Sequence, residues 1–492
     1  MLKIDAGVLA RLRAFHLAPG KQREALSYLW ATAVPTAAGL TVLVPHNAPV
    51  FLMGDDCYER QSGGNVRLAP EVLNGLLVQF AATDWNCLVN CHDHWFDERT
   101  EFSSIDDRDD LNFDRYLRQR FEPMLASNPH IGPNRRIHNA SLVLARDGLD
   151  ARVVDGGRRN PFRRFDHVHE LGTEWRCVAI GRESPTISRD PRFARHTDFV
   201  PLPAQAALAS MRVLLAGCGG LGSILAEALA RVGVGAIDLV DDDRVSLSNL
   251  NRWQGGRPVD VGASKSRRLA ARLRRMFPEL RVRSFDQSLF ARETEPLFGQ
   301  ASVLVAGLDN DEARYFLNRT AAQYMLPYFD AGVAVDTSDS GCDFCTRFFA
   351  VLPGQTPCLE CTQLALFDRG RTLEAFLDEA TAQARRNAGY VTDHAEIDAP
   401  SVYPLNLRAS GLLITEMLNY MCHWRATAVA ITESWRSGKF MRYDRDNFPE
   451  MIHPDCAVCH HYAGVGPNEP LPRPRWFAPR RLAIRDGCWQ EG

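Results

Sequence analysis

Two histidines and an aspartate form the first group of residues whose spacing can support chemistry. His92 and His94 flank Asp93 at the end of the apolar run Trp85 to Cys91, and Asp106 follows further along the chain. Residues at i and i+2 of a strand project to the same side, so both imidazoles can bind one zinc ion, with Asp106 as a third ligand. A three-ligand site leaves one position for water, as in zinc hydrolases.

Four cysteines form the second group. Cys358 and Cys361 make one Cys-x-x-Cys pair, and Cys456 and Cys459 make another pair far downstream. Four thiolates are the ligand set of a closed tetrahedral zinc site, which has no open position for a reacting water. We therefore expect a structural zinc ion that ties the C-terminal segment back to the preceding domain.

A glycine turn forms the third group. The apolar run Val213 to Ala216 leads into Gly217-x-Gly219-x-x-Gly222, and a second apolar run ends at Asp241. This order predicts a strand, a tight turn, a helix and a second strand, with the helix N-terminus facing a phosphate and the acid facing a ribose. The turn alone also fits a dinucleotide, so the residues after Asp241 must identify the nucleotide.

The elements around these groups indicate two folded units. Residues 1 to 150 alternate short apolar runs with polar turns, with helical patterns at Lys21 to Leu29 and Pro70 to Ala81. Residues 145 to 200 are rich in arginine, glycine and proline, as at a domain connection, although Cys177 to Gly181 resembles a strand. We therefore divide the chain into an α+β domain at 1–155, a connector at 156–188, an α/β domain at 189–465 and a C-terminal tail at 466–492.

Composition limits the class of protein. The chain has 492 residues, 45% hydrophobic and 24% charged, with a formal net charge of −3, and these values are ordinary for a globular protein of two or three domains. We expect no nucleic-acid partner because the chain has no overall positive charge. We expect no signal peptide and no membrane segment because the apolar runs are too short or interrupted. Thirteen cysteines, four of them in metal-type pairs, favour a reducing cytoplasm.

The first group resembles the JAB/JAMM metalloprotease family, whose pattern is an upstream glutamate, His-x-His and then Ser-x-x-Asp. His92, His94, Ser103 and Asp106 match that order, and Glu24 best matches the upstream glutamate. The resemblance implies that the histidines and Asp106 hold a catalytic zinc ion. It also implies that Glu24 is the general base and that Ser103 helps to bind the tetrahedral intermediate.

Two features differ from the family pattern. Trp95 replaces the proline that usually follows the second histidine, and Ser104-x-x-Asp107 offers an alternative register for the last part of the motif. Alternatively, the domain keeps the fold of this family but binds no metal and serves only as a docking platform.

The residues after Asp241 resemble the ThiF/MoeB superfamily, whose adenylating domain is shared with ubiquitin-activating enzymes. The residues that match in order and spacing are Asn249, Arg252, Lys265 and Asp309. The resemblance covers residues 190 to 465 and implies a Rossmann-like, doubly wound α/β fold that binds ATP. The segment from Pro353 to Cys361, which contains the first cysteine pair, also resembles the sequence of this superfamily.

Adenylation explains the residue types in this set. A carboxylate attacks the α-phosphate of ATP and pyrophosphate leaves, so cations and a metal-binding acid are needed beside the phosphates. The resemblance gives the roles to these residues: Asn249, Arg252 and Lys265 on the phosphates, Asp309 on Mg²⁺, and Asp241 on the ribose together with the turn of Gly217, Gly219 and Gly222.

Two further expectations concern a partner subunit and a thioester. Arg195 resembles a family arginine that reaches into the partner subunit of a homodimer. The loop from Thr362 to Pro400, where a thioester cysteine is expected in some members, contains none. Cys422 is interpreted as a core cysteine, and Cys342 and Cys345 are the remaining candidates. We expect the reaction to stop at the acyl-adenylate.

These features predict a bifunctional protein: a JAB/JAMM-like metallopeptidase fused to a ThiF-type adenylating domain. The substrate is expected to be a ubiquitin-like protein whose C-terminal carboxylate is exposed or released by the peptidase and then adenylated. The fusion resembles ubiquitin-like conjugation modules of bacterial antiviral defence operons, in which a conjugating enzyme is a further partner. One alternative is activation of a sulfur-carrier protein for cofactor or cysteine synthesis. Another is a scaffold with one inactive half.

Overall fold

Two large sheets, one in each half of the chain, organise the structure. The computed structural model describes residues 1 to 491 apart from residues 38, 63–65, 96–99, 127–135, 147, 181–190, 197, 337–342, 363–371, 373–374, 382, 384–400, 449–451, 478–481 and 486–487. Within the described residues, no helix combines the length and the low polarity that crossing a lipid bilayer requires.

The first half is an α+β unit built on a mixed sheet. Its strands are β1 (Leu2–Asp5), β2 (Leu26–Thr36), β3 (Gly39–Val44), β4 (Val50–Leu52), β5 (Tyr58–Gln61), β6 (Val66–Leu68), β7 (Cys87–Asp93), β8 (His138–Ala145), β9 (Gly148–Val154), β10 (Phe162–Arg164), β11 (His167–Leu171) and β12 (Trp175–Ala179). Its helices are α1 (Ala6–His16), α2 (Pro70–Ala81), α3 (Ser104–Tyr116) and α4 (Glu122–Ala126), and a π-helical segment, Leu117–Phe121, joins α3 to α4. The strand order is β10-β9-β8-β7-β2-β3-β1-β11-β12, with β4 also paired to β2 and with β5 and β6 as a separate hairpin.

Strand β7 carries His92 in the middle of this sheet, and His94 directly follows the strand. It pairs antiparallel with β2 and parallel with β8, and its seven residues are all buried. Helix α2 confirms the helix predicted at Pro70 to Ala81, whereas the helix predicted at Lys21 to Leu29 is wrong. Residues Leu26–Thr36 form a strand with neighbours on both sides, so their apolar run reflects burial on both faces of a sheet and not a helical period.

The second half is an α/β unit. Its strands are β13 (Arg212–Ala216), β14 (Ala236–Val240), β15 (Arg281–Phe285), β16 (Val303–Ala306), β17 (Tyr328–Asp336), β18 (Asp343–Val351), β19 (Ala428–Ser434) and β20 (Lys439–Asp444). Its helices are α5 (Leu202–Ser210), α6 (Gly220–Arg231), α7 (Lys265–Met276), α8 (Glu295–Phe298), α9 (Asp311–Gln323) and α10 (Tyr403–Cys422). The strand order is β15-β14-β13-β16-β17-β18-β19-β20, and a hairpin of β21 (Leu482–Arg485) and β22 (Cys488–Glu491) follows.

The first five strands of that order run parallel, and the last three are added antiparallel. Alternate residues of β13 show that helices cover both faces. Val213 and Leu215 lie in a core with residues of α5, α6, α7 and α10, whereas Leu214 and Ala216 lie in a second core with residues of α8 and α9. The predicted Rossmann-like α/β fold of the second half is therefore confirmed.

The two halves pack against each other across an interface. Three apolar residues of the first half lie in the second core of the other half: Val34, Leu43 and Leu171. Asp5 Oδ2 accepts a hydrogen bond from Gln355 Nε2 at 2.9 Å, and Lys3 Nζ donates to the Tyr324 carbonyl at 3.1 Å. Strands β10 to β12, which fall inside the predicted connector, belong to the first sheet. The halves are therefore joined by packed surfaces as well as by the chain.

Lys3 places a fully buried ammonium group in this interface. Burial lowers the pKa of Lys3 from its ordinary value of 10.5 to about 7. Below pH 7 the folded protein must therefore bury a positive charge, and this cost decreases as the pH rises from 7 towards 10.5. We expect Lys3→Met to raise the free energy of unfolding below pH 7 by roughly 2 to 4 kcal/mol, with a smaller gain in alkaline buffer.

Urea denaturation at several pH values measures this effect. Lys439→Met, at an exposed lysine of β20, is the matched control and is expected to leave the denaturation midpoint unchanged. A midpoint of Lys3→Met that is equal to or lower than that of the wild type below pH 7 would contradict the assigned cost of the buried charge.

Candidate functional site

Four polar side chains of the first half meet beside the end of β7. Glu24, His92, His94 and Asp106 each offer one ligand atom, and these atoms all lie within 4.8 Å of one another. Glu24 precedes β2, the histidines lie at the end of β7, and Asp106 lies in the first turn of α3. The sheet and one helix N-terminus therefore bring together all four residues that the His-x-His motif and its flanking acids predicted.

The separations in this group suit one shared metal ion. His92 Nε2 is 3.3 Å from Asp106 Oδ1, and His94 Nε2 is 3.5 Å from Asp106 Oδ2. Nitrogen and oxygen ligands of a tetrahedral zinc ion stand roughly 3.3 Å apart. The buried Nε2 atom of His92 makes no well-aligned hydrogen bond within the described part of the chain. A buried imidazole nitrogen that faces a carboxylate oxygen without a well-aligned hydrogen bond is suited to binding a metal.

The two carboxyl groups of the site differ in their electrostatics. Burial raises the pKa of Glu24 to about 7. Burial also opposes the charge on Asp106, but the two neighbouring histidines outweigh it and lower the pKa of Asp106 below its usual range. For His92, the charge and hydrogen bonding of Asp106 outweigh desolvation and raise its pKa. The Asp106 carboxyl group is therefore ionised, whereas Glu24 can exchange a proton near neutral pH.

Ser103 caps helix α3. Its hydroxyl accepts a hydrogen bond from the Asp106 N–H at 3.3 Å, and Asp106 Oδ2 accepts one from the Ser103 N–H at 2.5 Å. This reciprocal capping box fixes the start of the helix and the orientation of Asp106. In the alternative register, Asp107 pairs with Arg152 and not with the histidines. Ser103 is exposed, so its hydroxyl is accessible to a ligand.

A buried network behind α3 was missed in the sequence. Asp110 accepts hydrogen bonds from Arg152 Nε at 2.9 Å and Arg152 Nη2 at 2.6 Å. It also accepts from Ser141 Oγ at 2.6 Å and Asn90 Nδ2 at 3.0 Å. Asp110 is one helical turn from Asp106, so this network holds the face of α3 that carries the ligand. The repeat of acids at four-residue spacing is the signal that could have revealed it.

The four predicted cysteines form one cluster. Cys358 Sγ is 3.6 Å from Cys456 Sγ and 3.9 Å from Cys361 Sγ. Cys361 Sγ is 3.7 Å from Cys459 Sγ, and all four cysteines are free thiols. Thiolates around one tetrahedral zinc ion stand roughly 3.8 Å apart. The cluster therefore fits a structural zinc ion.

The glycine turn of the second half requires glycine at two of its positions. Gly217 has a φ of 84°, and a Cβ there would lie 2.7 Å from the Gly307 carbonyl. A Cβ on Gly222 would lie 2.0 Å from the Gly217 carbonyl. Gly219 caps α6 without a side-chain hydrogen bond, so the helix N-terminus is open to an anion. The turn lies where the parallel strands β13 and β16 end together, which is where ligands bind such sheets.

Asp241 is fixed against this turn. Its Oδ2 accepts a hydrogen bond from the Cys218 N–H at 2.6 Å, and its Oδ1 accepts one from the Asp243 N–H at 2.8 Å. Burial raises the pKa of Asp241 to about 6. On the same turn, Trp253 Nε1 donates to the Cys218 carbonyl at 2.7 Å, a contact that the sequence did not predict.

Two predicted cations lie near the turn. The Cγ atom of Arg252 would be 3.1 Å from a Cβ on Gly220, so this side chain crosses the start of α6. Arg252 Nη1 donates to the Ser248 carbonyl at 2.8 Å. Lys265 begins α7, and its Nζ donates to Asp243 Oδ2 at 2.7 Å. Local partners therefore hold both cations beside the glycine turn, in the crevice at the ends of β13 and β16.

The remaining predicted residues are more exposed. Asn249 Oδ1 accepts a hydrogen bond from the Ser246 N–H at 3.0 Å. Asp309 is exposed in the turn after β16. Arg195 is exposed after the 3₁₀ segment Pro191–Phe193, and the described contacts do not join it to the rest of the set. Asp309 therefore lies two residues beyond Gly307, which packs against the turn, whereas Arg195 lies on the surface.

The cysteines considered for a thioester have different surroundings. Cys422 ends α10, where burial raises its pKa to about 11, as suits a packed thiol. Cys345 is partly buried in β18. Cys342 and most of the loop from Thr362 to Pro400 lie outside the described residues.

The second half of the chain matches a known protein family. The ThiF family description matches residues 193–457, which are more than half of the 492-residue chain. The chain belongs to the ThiF family. The ThiF match contains the whole predicted nucleotide set and three of the four clustered cysteines, and it begins after the sheet of the first half.

Two relatives of known name share the ThiF region. The chain is 33% identical over 187 residues to the sulfur carrier protein ThiS adenylyltransferase of Bacillus subtilis, covering 37% of this chain and 53% of the relative. It is 30% identical over 213 residues to the SAMP-activating enzyme E1 of Haloferax volcanii, covering 38% of this chain and 79% of the relative. The chain therefore spans about half the length of the Bacillus relative.

A solved structure of E. coli MccB with ATP resembles this ThiF-family chain with a TM-score of 0.41 and 20% identity. That similarity covers 56% of this chain and 76% of the MccB chain.

Proposed function

We propose that the ThiF-family half uses ATP to adenylate the C-terminal carboxylate of a ubiquitin-like or sulfur-carrier protein. The observation that carries this proposal is the crevice where β13 and β16 end, with an open helix N-terminus, half-buried Asp241 and exposed Asp309. Attack of a carboxylate on the α-phosphate forms an acyl-adenylate and releases pyrophosphate. The names of the Bacillus and Haloferax relatives support this class of substrate.

Each polar residue of the crevice has a proposed role. Arg252 and Lys265 bind the phosphates. To do so, the Lys265 side chain leaves its hydrogen bond to Asp243 and turns towards the nucleotide. Asp309 holds the Mg²⁺ ion that accompanies ATP, and Asp241 binds the ribose hydroxyls. Asn249 orients the phosphates through its side-chain amide, and Arg195 completes the site of a partner subunit in a homodimer. This reaction takes place in the cytoplasm.

ATP–pyrophosphate exchange tests the adenylation. The full chain is expected to exchange labelled pyrophosphate into ATP only when a ubiquitin-like protein with a free C-terminal glycine is present. Exchange that never appears with any such protein would favour the non-catalytic scaffold. Transfer to a conjugating-enzyme cysteine or to a lysine supports protein conjugation, whereas a thiocarboxylate product supports sulfur-carrier activation.

We further propose that the first half is a JAB/JAMM-like zinc peptidase that exposes this carboxylate or removes the modifier from conjugates. The group of Glu24, His92, His94 and Asp106 carries this proposal. Zinc, when bound, supplies a Lewis acid that polarises a carbonyl oxygen and acidifies water. Glu24 then takes a proton from the attacking water and returns it to the departing amine. Ser103 donates a hydrogen bond to the oxygen of the attacked carbonyl.

The variant Glu24→Gln tests the general base. It keeps the shape of the side chain but cannot accept the proton, so hydrolysis of a C-terminally extended ubiquitin-like protein is expected to fall by about 10²- to 10⁴-fold. Zinc content is expected to stay at the wild-type value because Glu24 is not among the proposed ligands.

The exposed residue Glu101 offers a matched control, since Glu101→Gln makes the same chemical change two residues before Ser103. Wild-type hydrolysis by Glu24→Gln would exclude Glu24 as the base. Loss of zinc from that variant would instead make Glu24 a ligand.

A further inference from the structure

A buried polar cluster lies behind β7. Asp93 stands between the two site histidines, so strand alternation directs its side chain to the opposite face. Its Oδ2 atom accepts three hydrogen bonds: from His16 Nδ1 at 2.7 Å, Lys21 Nζ at 2.6 Å and the Ala25 N–H at 3.1 Å. The side chains of Asp93 and His16 are fully buried, and that of Lys21 is 13% exposed. We call these four residues the Asp93 cluster.

The Asp93 cluster closes the segment between α1 and β2. Lys21 Nζ also donates to the His16 carbonyl at 3.0 Å, and His16 Nε2 lies 2.7 Å from Ser27 Oγ. A serine, a histidine and an aspartate in this order resemble a nucleophilic triad. Ser27 and His16 have no exposed surface, however, so a substrate cannot reach them. The contacts instead tie the end of α1, residues 17–25 and the start of β2 to one carboxylate.

We infer that Asp93 is a positioning residue that sets Glu24 opposite the metal ligands, an inference that rests on the proposed peptidase function. The Ala25 N–H belongs to the peptide unit that directly follows Glu24, so the carboxylate that accepts it fixes the backbone of the base. The same carboxylate belongs to the last residue of β7, which stands directly between the two histidines. One side chain therefore sets the separation between the proton acceptor and the metal, and a shift of about 1 Å in such a separation can cost about a hundredfold in rate.

Loss of the acceptor has a local consequence. Without the charge of Asp93, the Lys21 ammonium has no counter-charge in the cluster and the Ala25 N–H has a weaker acceptor. Residues 17–25 are then expected to move away from β7 while the rest of the sheet stays paired. The helix α3 network that holds Asp106 does not include Asp93, so binding of zinc is expected to survive.

Hydrogen exchange and kinetics on the full chain test this inference together. In Asp93→Asn, amide exchange in residues 17–25 is expected to rise by about tenfold, with unchanged exchange in β3 and unchanged zinc content. Turnover is expected to fall by about ten- to a hundredfold with the same KM. The double variant Glu24→Gln with Asp93→Asn is expected to be no slower than Glu24→Gln alone, because Asp93 acts through Glu24.

Two further variants keep the test decisive. Asp114→Asn is a matched control. Like Asp93, Asp114 is a buried carboxylate that accepts hydrogen bonds from a backbone N–H, that of Gly156, and from a cation, Arg118. It is expected to leave residues 17–25 unchanged. If Asp93→Asn does not fold, Lys21→Met removes one of the three donors and is expected to cause a smaller change of the same kind.

The role of Asp93 and the proposed peptidase activity fail on different results. Unchanged exchange in residues 17–25, or an additive loss in the double variant, overturns the role of Asp93. A wild-type protein that does not hydrolyse any extended ubiquitin-like protein overturns the proposed peptidase, and hydrogen exchange then still decides whether Asp93 orders the Glu24 segment.

Discussion

Replacement of Asp309 by alanine is expected to lower ATP–pyrophosphate exchange by about a thousandfold or more. Asp309 follows β16 and is exposed beside the glycine turn, where Gly307 contacts Gly217 and Gly222. A carboxylate at this place can hold the Mg²⁺ ion that neutralises charge on the departing pyrophosphate.

Glu312→Ala is the matched control for this prediction. Glu312 also offers a carboxylate in the first turn of α9, and the cap of that helix depends on Asn310 and not on either acid. Exchange by the control is expected to match the wild type, and circular dichroism is expected to be the same for all three proteins. An Asp309→Ala protein that exchanges pyrophosphate at the wild-type rate would disprove the ATP assignment of the crevice.

The double variant Cys456→Ser with Cys459→Ser is expected to destabilise both halves of the protein. A structural zinc ion contributes on the order of 10 kcal/mol in small modules. The loops around the cysteine cluster also contact the first half: Asn47 Nδ2 donates to the His460 carbonyl at 2.8 Å, and a Cβ on Gly464 would lie 2.6 Å from Pro45. Loss of the ion is therefore expected to loosen the interface as well as the ThiF fold.

Calorimetric melting with a parallel zinc assay measures this effect. We expect the melting temperatures of both halves to fall by well over 10 °C and the protein to lose about one zinc ion. Cys422→Ser, at a cysteine of α10 outside the cluster, serves as the control and is expected to keep its zinc. Melting of the double variant at the wild-type temperature would show that the cluster is not a structural metal site.

The Rossmann-like half could be predicted from its sequence because its signals are local. The two glycines at 217 and 222 are required by backbone contacts within the turn, and the apolar runs before and after them became β13 and β14. The order of Asn249, Arg252, Lys265 and Asp309 follows the chain through that same crevice. The two cysteine pairs likewise predicted a cluster, because thiolate spacing of this kind has few other uses.

In the first half, several structural features depend on contacts between distant residues, which local sequence patterns do not predict. The sequence pattern predicts a helix at Lys21 to Leu29, since an apolar run alone does not distinguish a helix from a strand that is buried on both faces. The arginine, glycine and proline content predicts a connector where strand β11 in fact pairs in parallel with β1 from the far end of that half. The Asp93 cluster and the buried network behind α3 join residues that are distant in sequence. The hydrophobic periodicity of one segment does not indicate which distant residue will bond to it.

The packed interface described above has a consequence for how a substrate would pass between the two proposed reaction centres. Domains on a flexible linker can raise the effective concentration of a shared substrate by swinging towards each other. Here Lys3 and Asp5 of one half are bonded to Tyr324 and Gln355 of the other, so such swinging would require breaking buried contacts. The C-terminal tail of the proposed ubiquitin-like substrate would therefore have to move between the two centres, and its length would decide whether the substrate is released and bound again between the two proposed reactions.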